Sequence, residues 1–150
     1  MPDRDNEARR RAMSAFAVAP KALLEAGWEL IPETIGIVPV RGPEIGLVML
    51  RGRIGGGGAP FNLGEASVTR ASIRLSTGQV GHAMILGRDA EKARLAAAFD
   101  AAWQDAAFRE LIEKNVVAPA VALEMEADRK RAEETEATRV DFFTMVRGED

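Results

Sequence analysis

Ala66-Ser-Val-Thr-Arg-Ala-Ser-Ile-Arg-Leu75, then Ser76-Thr-Gly78, then Gln79-Val-Gly-His-Ala-Met-Ile-Leu86 is the stretch that decides the fold class. Thr69, Ala71, Ile73 and Leu75 fall on one face of an alternating run. Arg70, Ser72 and Arg74 fall on the other, the period-two pattern of a half-buried strand. Ser76-Thr77-Gly78 is a tight turn. Gln79 to Leu86 returns as a second strand, so the pair reads as an antiparallel hairpin.

Toward the N-terminus, Ile45 to Arg53 reads as a further strand. Leu47 to Leu50 is apolar on both faces, which predicts a central position in the sheet. Ile35 to Val40 reads as another strand, which Pro39 confines to an edge or a bulge. Gly42-Pro43-Glu44 reads as the turn between them. Ala8, Ala12, Phe16 and Ala19 repeat at helical spacing. Pro20 suits the first position of a second, short helix through Leu23 and Leu24. Gly27 caps or bends that helix and Pro32 ends it.

Toward the C-terminus, Asp89 is a good N-cap. Leu95, Phe99, Ala102, Trp103 and Ala106 form an apolar helical stripe that Leu111 and Ile112 extend. Phe99, Trp103 and Phe108 read as core. Asn115 to Pro119 is expected to break the helix. Val121 to Thr138 is then a charge-dense helix with Glu126–Lys130 and Asp128–Arg131 at pairing distance. Asp141 to Arg147 reads as a last strand. The order is helix, helix, three or four antiparallel strands, helix, helix, strand. That predicts an α+β fold, a mainly antiparallel meander plus a C-terminal strand packed with helices, as a single domain over residues 1–150.

Composition narrows the function classes. The chain has 150 residues, 47% hydrophobic and 29% charged, enough for a packed core. Aromatics are 5% and Tyr is absent, so small aliphatic side chains carry the core. Each buries little area, which predicts modest stability alone and a gain from partners. A net charge of −3 argues against general nucleic-acid binding. The absence of Cys excludes disulfides, thiolate metal sites, cysteine nucleophiles and iron–sulfur ligation by this chain. The charged start Met1-Pro-Asp-Arg-Asp5 leads into no apolar run and no stretch spans a membrane, so a cytoplasmic location is expected.

Arg51-Gly-Arg53-Ile-Gly55-Gly56-Gly57-Gly58 is the most suggestive local feature. Successive glycines let backbone N–H groups converge on an anion, and the arginines add charge. No Gly-Lys-Ser/Thr follows and no helix starts nearby, so it is neither a P-loop nor a dinucleotide fingerprint. The plain alternative is a hairpin connection. Arg70 and Arg88 are further candidate cations. His82, the single histidine, shares a strand face with Val80, Met84 and Leu86. No local Ser/Asp pattern makes it part of a triad, and no metal cluster accompanies it. The carboxylates from Glu124 to Glu136 alternate with Lys and Arg as on a solvated helix. Phe142 and Phe143, adjacent in a strand, point to opposite faces, so one is expected to pack against a partner subunit.

Several motifs in one order carry a resemblance. They are Gly46-Leu-Val-Met, Arg53-Ile-Gly-Gly, Phe61-Asn-Leu-Gly-Glu, Val68-Thr-Arg-Ala, Val80-Gly-His, Leu86-Gly-Arg-Asp89 and the closing Arg139-Val-Asp-Phe-Phe-Thr-Met-Val-Arg-Gly148. Across nearly its whole length the chain resembles the PhnG family of carbon–phosphorus lyase subunits. The stretch Trp28 to Pro43, with extra prolines, departs from the pattern. The resemblance implies an accessory subunit in organic phosphonate catabolism. Its partners would be PhnH, PhnI and PhnJ, with the ATPase-like PhnK and PhnL associated. In that complex, with PhnI catalytic and PhnH and PhnL assisting, a phosphonate attacks the anomeric ribose carbon of ATP and adenine leaves. The product is ribose 1-alkylphosphonate 5-triphosphate. Later steps remove pyrophosphate, and PhnJ, a radical enzyme with S-adenosylmethionine and an iron–sulfur cluster, cleaves the C–P bond. ATP is thus the complex's substrate, and no cofactor is expected on this chain alone. The resemblance carries over no catalytic residue. A structural adaptor without substrate contact is the alternative, and a free-standing enzyme using the glycine loop for a nucleotide is a third reading.

Overall fold

The computed structural model describes residues 2–53 and 58–138. Helices α1 (Pro2–Val18) and α2 (Lys21–Trp28) precede strands β1 (Ile37–Gly52), β2 (Phe61–Leu75) and β3 (Val80–Leu86). Helices α3 (Ala90–Trp103) and α4 (Ala106–Ile112), a π-helical turn (Glu113–Val117) and α5 (Ala118–Ala137) follow. The fold is α+β, with a three-stranded antiparallel meander in the order β1-β2-β3 and helices packed on one face. The strand expected over Asp141 to Arg147 lies outside the described residues.

Helix α3 is the centre of the molecule. Ten of its residues are buried, most of them alanines, alongside Leu95, Phe99 and Trp103. Small side chains let the helix lie almost on the sheet: a Cβ on Gly81 of β3 would sit 2.0 Å from the Ala97 carbonyl oxygen. Phe99 gives the core its bulk, stacked on Phe16 with centroids 5.4 Å apart and met edge-on by Trp28 at 5.3 Å. Gly27 does not cap α2, whose C-cap is Glu29. It is buried within the helix, and a Cβ there would lie 2.5 Å from Val116 Cγ2. Thr69, Ala71, Ile73 and Leu75 are the buried face of β2, as their alternation predicts. Asp89 caps α3 by accepting the Lys92 N–H at 2.9 Å.

Three expectations change. The two strands expected on either side of Gly42-Pro43-Glu44 are one strand, because the sheet absorbs that segment as a bulge. The register of β1 against β2 shifts between Pro39 and Arg41 and again between Arg41 and Glu44, and Gly42 takes φ +68°, a conformation glycine adopts without steric cost. Second, the apolar run Leu47 to Leu50 lies on an edge strand, and β2 is the central one. Third, the stripe from Leu95 to Ile112 spans two helices. Asp105 starts α4 by accepting the Ala107 N–H at 2.9 Å, and Asn115 to Pro119 does not break the chain's helical course. The π-helical turn carries it into α5, with Pro119 in that helix's first turn.

Candidate functional site

The face of the sheet turned away from α3 carries the polar side chains of the hairpin. Ser72 on β2 is in register with His82 on β3. Its Oγ lies 2.8 Å from His82 Nδ1. On its other side Ser72 is in register with Arg41 of β1. Two residues back along β2, Arg70 emerges on the same face. A cavity of about 270 Å³ opens here. Arg41, Arg70, Ser72 and His82 give it polar walls, and Met13, Ala71, Ala83 and Met84 line the remainder.

One carboxylate already sits between the two arginines. Arg41 Nε donates to Glu44 Oε2 at 3.1 Å and to Oε1 at 3.2 Å, and Arg70 Nε reaches Oε2 at 3.4 Å. The hydrogen bond from Arg41 holds the Glu44 carboxyl below its ordinary value, with the charges of Arg41 and Arg70 acting the same way. The cluster of two guanidiniums and one carboxylate keeps a net positive charge.

The site's outer strand is fixed from below. The His82 backbone N–H donates to Asp100 Oδ2 at 2.8 Å. Arg9 of α1 holds the same carboxylate through Nε and a terminal nitrogen, each at 2.8 Å. Asp100 is 1% exposed, and its hydrogen bond is the main reason the Arg9 guanidinium is raised above its ordinary value. Gln104 Nε2 donates to the Val80 carbonyl at 2.8 Å, so side chains of α3 and its C-terminal cap, rather than a fourth strand, satisfy this edge of β3.

Chemically the Ser72–His82 pair is not a triad. Among the described residues His82 Nε2 meets no carboxylate to orient the ring. The pair's strength is donation. One of its two exchangeable protons is used between the partners, and the other is left over in either histidine tautomer. Among the described residues no cluster of three or more His, Asp or Glu has the arrangement to hold a metal ion, and no helix is long and apolar enough to cross a membrane.

Beyond Val68 the sheet narrows to two strands. Gly46–Gly52 and Phe61–Ser67 continue as a ribbon past the end of β3, about 20 Å long at ~3.3 Å per residue. Leu47 and Met49 are exposed on one of its faces and Leu50 on the other, with Phe61 and Leu63 exposed on the second strand.

The family model described as "Phosphonate metabolism protein PhnG" matches residues 7–148. The chain belongs to the PhnG family. A relative from Rhizobium meliloti (strain 1021), "Alpha-D-ribose 1-methylphosphonate 5-triphosphate synthase subunit PhnG", is 58% identical over 142 residues, 95% of this chain and 90% of that one.

In this PhnG-family chain the residues singled out from sequence do not form one cluster. Arg51 and Arg53 are exposed at the far end of the ribbon, and Gly58 is exposed on the return. Gly55, Gly56 and Gly57 lie outside the described residues, as do Phe142 and Phe143. Arg88 stands at the ribbon's base, its Nε donating to Ser67 Oγ at 3.3 Å. Of the described candidates, only Arg70 joins the Ser72–His82 cavity. Arg51 is seven residues beyond Glu44, the register partner of Arg70, which puts it roughly 20 Å away. Reading the sequence for a Ser/Asp pattern close to His82 missed Ser72, which comes from across the hairpin.

Proposed function

We propose that this chain is an accessory subunit of an alpha-D-ribose 1-methylphosphonate 5-triphosphate synthase in organic phosphonate catabolism, without turnover of its own. In that assembly an alkylphosphonate oxygen attacks the ribose C1 of ATP, the bond from C1 to the base breaks, and adenine leaves with the electron pair. PhnH, PhnI and PhnJ are the proposed neighbours, with PhnK and PhnL associated. The observation that supports a subunit role is the two-stranded ribbon, apolar on both faces and uncovered by any of the described residues. A monomer seldom keeps such a surface, and interface cores are where one is used. The ribbon also carries Arg51 and Arg53 at its tip, where they and Gly55 to Gly58 serve as the proposed anion-facing loop.

The test is reconstitution. The purified chain, given ATP and methylphosphonate, is expected to release no adenine, and the complex assembled with its partner subunits is expected to release it. The Arg51→Ala/Arg53→Ala chain is expected to assemble normally and to slow release roughly ten- to a hundredfold, the loss of a charge-assisted hydrogen bond at the transition state. Adenine release by the single chain, or full activity of a complex lacking it, overturns the proposal. Unchanged kinetics of the double variant makes the tip a plain hairpin connection.

A further inference from the structure

The geometry points to the Ser72–His82–Arg70–Arg41 cavity as a binding seat for the tetrahedral oxyanion of an alkylphosphonate. The identity of the ligand rests on the synthase reading above; the anion site rests on the geometry.

Four observations converge. The first is register. Arg41, Ser72 and His82 stand side by side on three adjacent strands, and Arg70 projects from the same face as Ser72 two residues away. Donors from three strands of one sheet are held at fixed spacing, and a rigid array loses little entropy on engaging a ligand. The second is the hydrogen-bond count. The Ser72–His82 pair at 2.8 Å keeps one proton unused whichever atom donates within it, and both residues line the cavity, so the pair has a donor to offer a ligand there. A phosphonate oxygen accepts such a bond. The third is Glu44. Its carboxylate occupies the fork between Arg41 and Arg70 and shows that the two guanidiniums converge on an oxyanion. Both arginines are more than half exposed, so they retain N–H groups for a second acceptor. Guanidinium forks match phosphonate oxygens in the same way as carboxylates. The fourth is the wall chemistry. Met84, from the same strand face as His82, and Met13 of α1 supply the apolar side chains of the cavity, a wall suited to a short alkyl group on phosphorus and of no use to a phosphate's fourth oxygen.

The surrounding field acts in the same direction. Between residues 37 and 88 the sequence holds six arginines, two glutamates and no other ionised type, a local charge of +4 in a chain whose net is −3. Anions are therefore drawn to the sheet while the helices repel them.

The test is a binding titration of the full chain, alone and within the assembled complex, by isothermal calorimetry at fixed ionic strength. Three probes separate the sources of the same head-group chemistry: methylphosphonate, inorganic phosphate and tripolyphosphate. Methylphosphonate is expected to bind one per chain and more tightly than phosphate. Ser72→Ala and His82→Gln, both on the outer sheet face, are each expected to weaken it about tenfold. Glu44→Gln is expected to tighten it, because it removes the competing carboxylate and leaves the guanidiniums in place. Arg131→Gln, far away on α5, serves as the control and is expected to change nothing. The opposite signs separate a ligand site from a merely structural cluster, in which all three near substitutions would act alike. Absence of saturable methylphosphonate binding in both settings overturns the proposal, as does binding of tripolyphosphate alone or a Glu44→Gln variant that binds no better than the parent. Co-purification of the same variants with the partner subunits is scored in parallel. Intact assembly without phosphonate binding removes the seat and leaves the subunit role standing, and failure of the parent chain to assemble removes the subunit role.

Discussion

The carboxylate of Asp100 on α3 accepts the main-chain N–H of His82 at 2.8 Å, joining the innermost helix to the outer edge of the sheet. Arg9 grips the same carboxylate from α1, so three elements meet at one buried charge. Replacing Asp100 by Ala leaves a strand N–H unpaired and takes the carboxylate away from a guanidinium that is 32% exposed. Breaking a fully buried pair from one side costs about 3–5 kcal/mol, and the partial exposure of Arg9 puts this pair at the lower end of that range. Urea unfolding of the full chain is expected to show a loss of this size for Asp100→Ala and a smaller one for Asp100→Asn, which keeps an acceptor. An unchanged unfolding midpoint for the alanine variant would contradict the assignment.

Gly81 has no room for a side chain. An added Cβ would lie 2.0 Å from the Ala97 oxygen and 2.4 Å from the Ala101 nitrogen, both backbone atoms that cannot swing aside. Gly81→Ala is expected to cost at least the ~1–3 kcal/mol typical of overpacking. Gly46→Ala, with nothing within 4 Å, is expected to be close to neutral. Thermal melts of the two variants check the contrast, and equal melting temperatures would refute the close approach of α3.

The ribbon gives a separation of folding from assembly. Leu47 and Leu63 are 60% and 61% exposed, so Leu47→Lys/Leu63→Lys removes little from the core. The melting temperature of the isolated chain is expected to hold within a degree or two, since exposed substitutions usually stay within about 0.5 kcal/mol. Capture of partner subunits in a pull-down is expected to fall at least tenfold. Undiminished capture would place the interface elsewhere.

Glu44 provides a pH signature. Its carboxyl is held below the ordinary glutamate value, chiefly by the Arg41 hydrogen bond. A depressed carboxyl favours the folded state fully above its unfolded pKa. That contribution fades as the pH falls from there through the lowered folded value, because in this window the unfolded chain binds more protons. Carboxyl chemical shifts followed by NMR are expected to place the Glu44 midpoint below that of an unpaired exposed glutamate, and Arg41→Ala is expected to move it upward. A midpoint indifferent to Arg41 would dissolve the proposed fork.

Much of this was legible in the residues. The β2–β3 hairpin follows from alternation and one turn, and the pairing of Ser72 with His82 follows with it. Leu75 N–H bonds to the Gln79 carbonyl across the turn, and counting three residues out from each reaches that pair. The missing step was to carry the register outward. The Arg9–Asp100 link joins residues 91 apart, and no local pattern announces it. Gly42-Pro43 misled because bulges and turns draw on the same residues. Leu47 to Leu50 misled for a more useful reason. A run apolar on both faces normally marks a central strand, where its own chain covers it, and here the cover is proposed to come from another chain.

The length of that ribbon bears on how much of this chain a cell can hold. A strand edge with exposed Leu, Met and Phe is a template for wrong pairing and a foothold for proteases and chaperones. Copies made in excess of their partners would be cleared or would precipitate, whereas seated copies would be shielded. The subunit's lifetime would then follow its partners' dosage instead of its own synthesis. A pulse-chase in cells lacking the partner genes is expected to show a half-life several-fold shorter than in cells that have them, and equal half-lives would mean that the ribbon is tolerated bare.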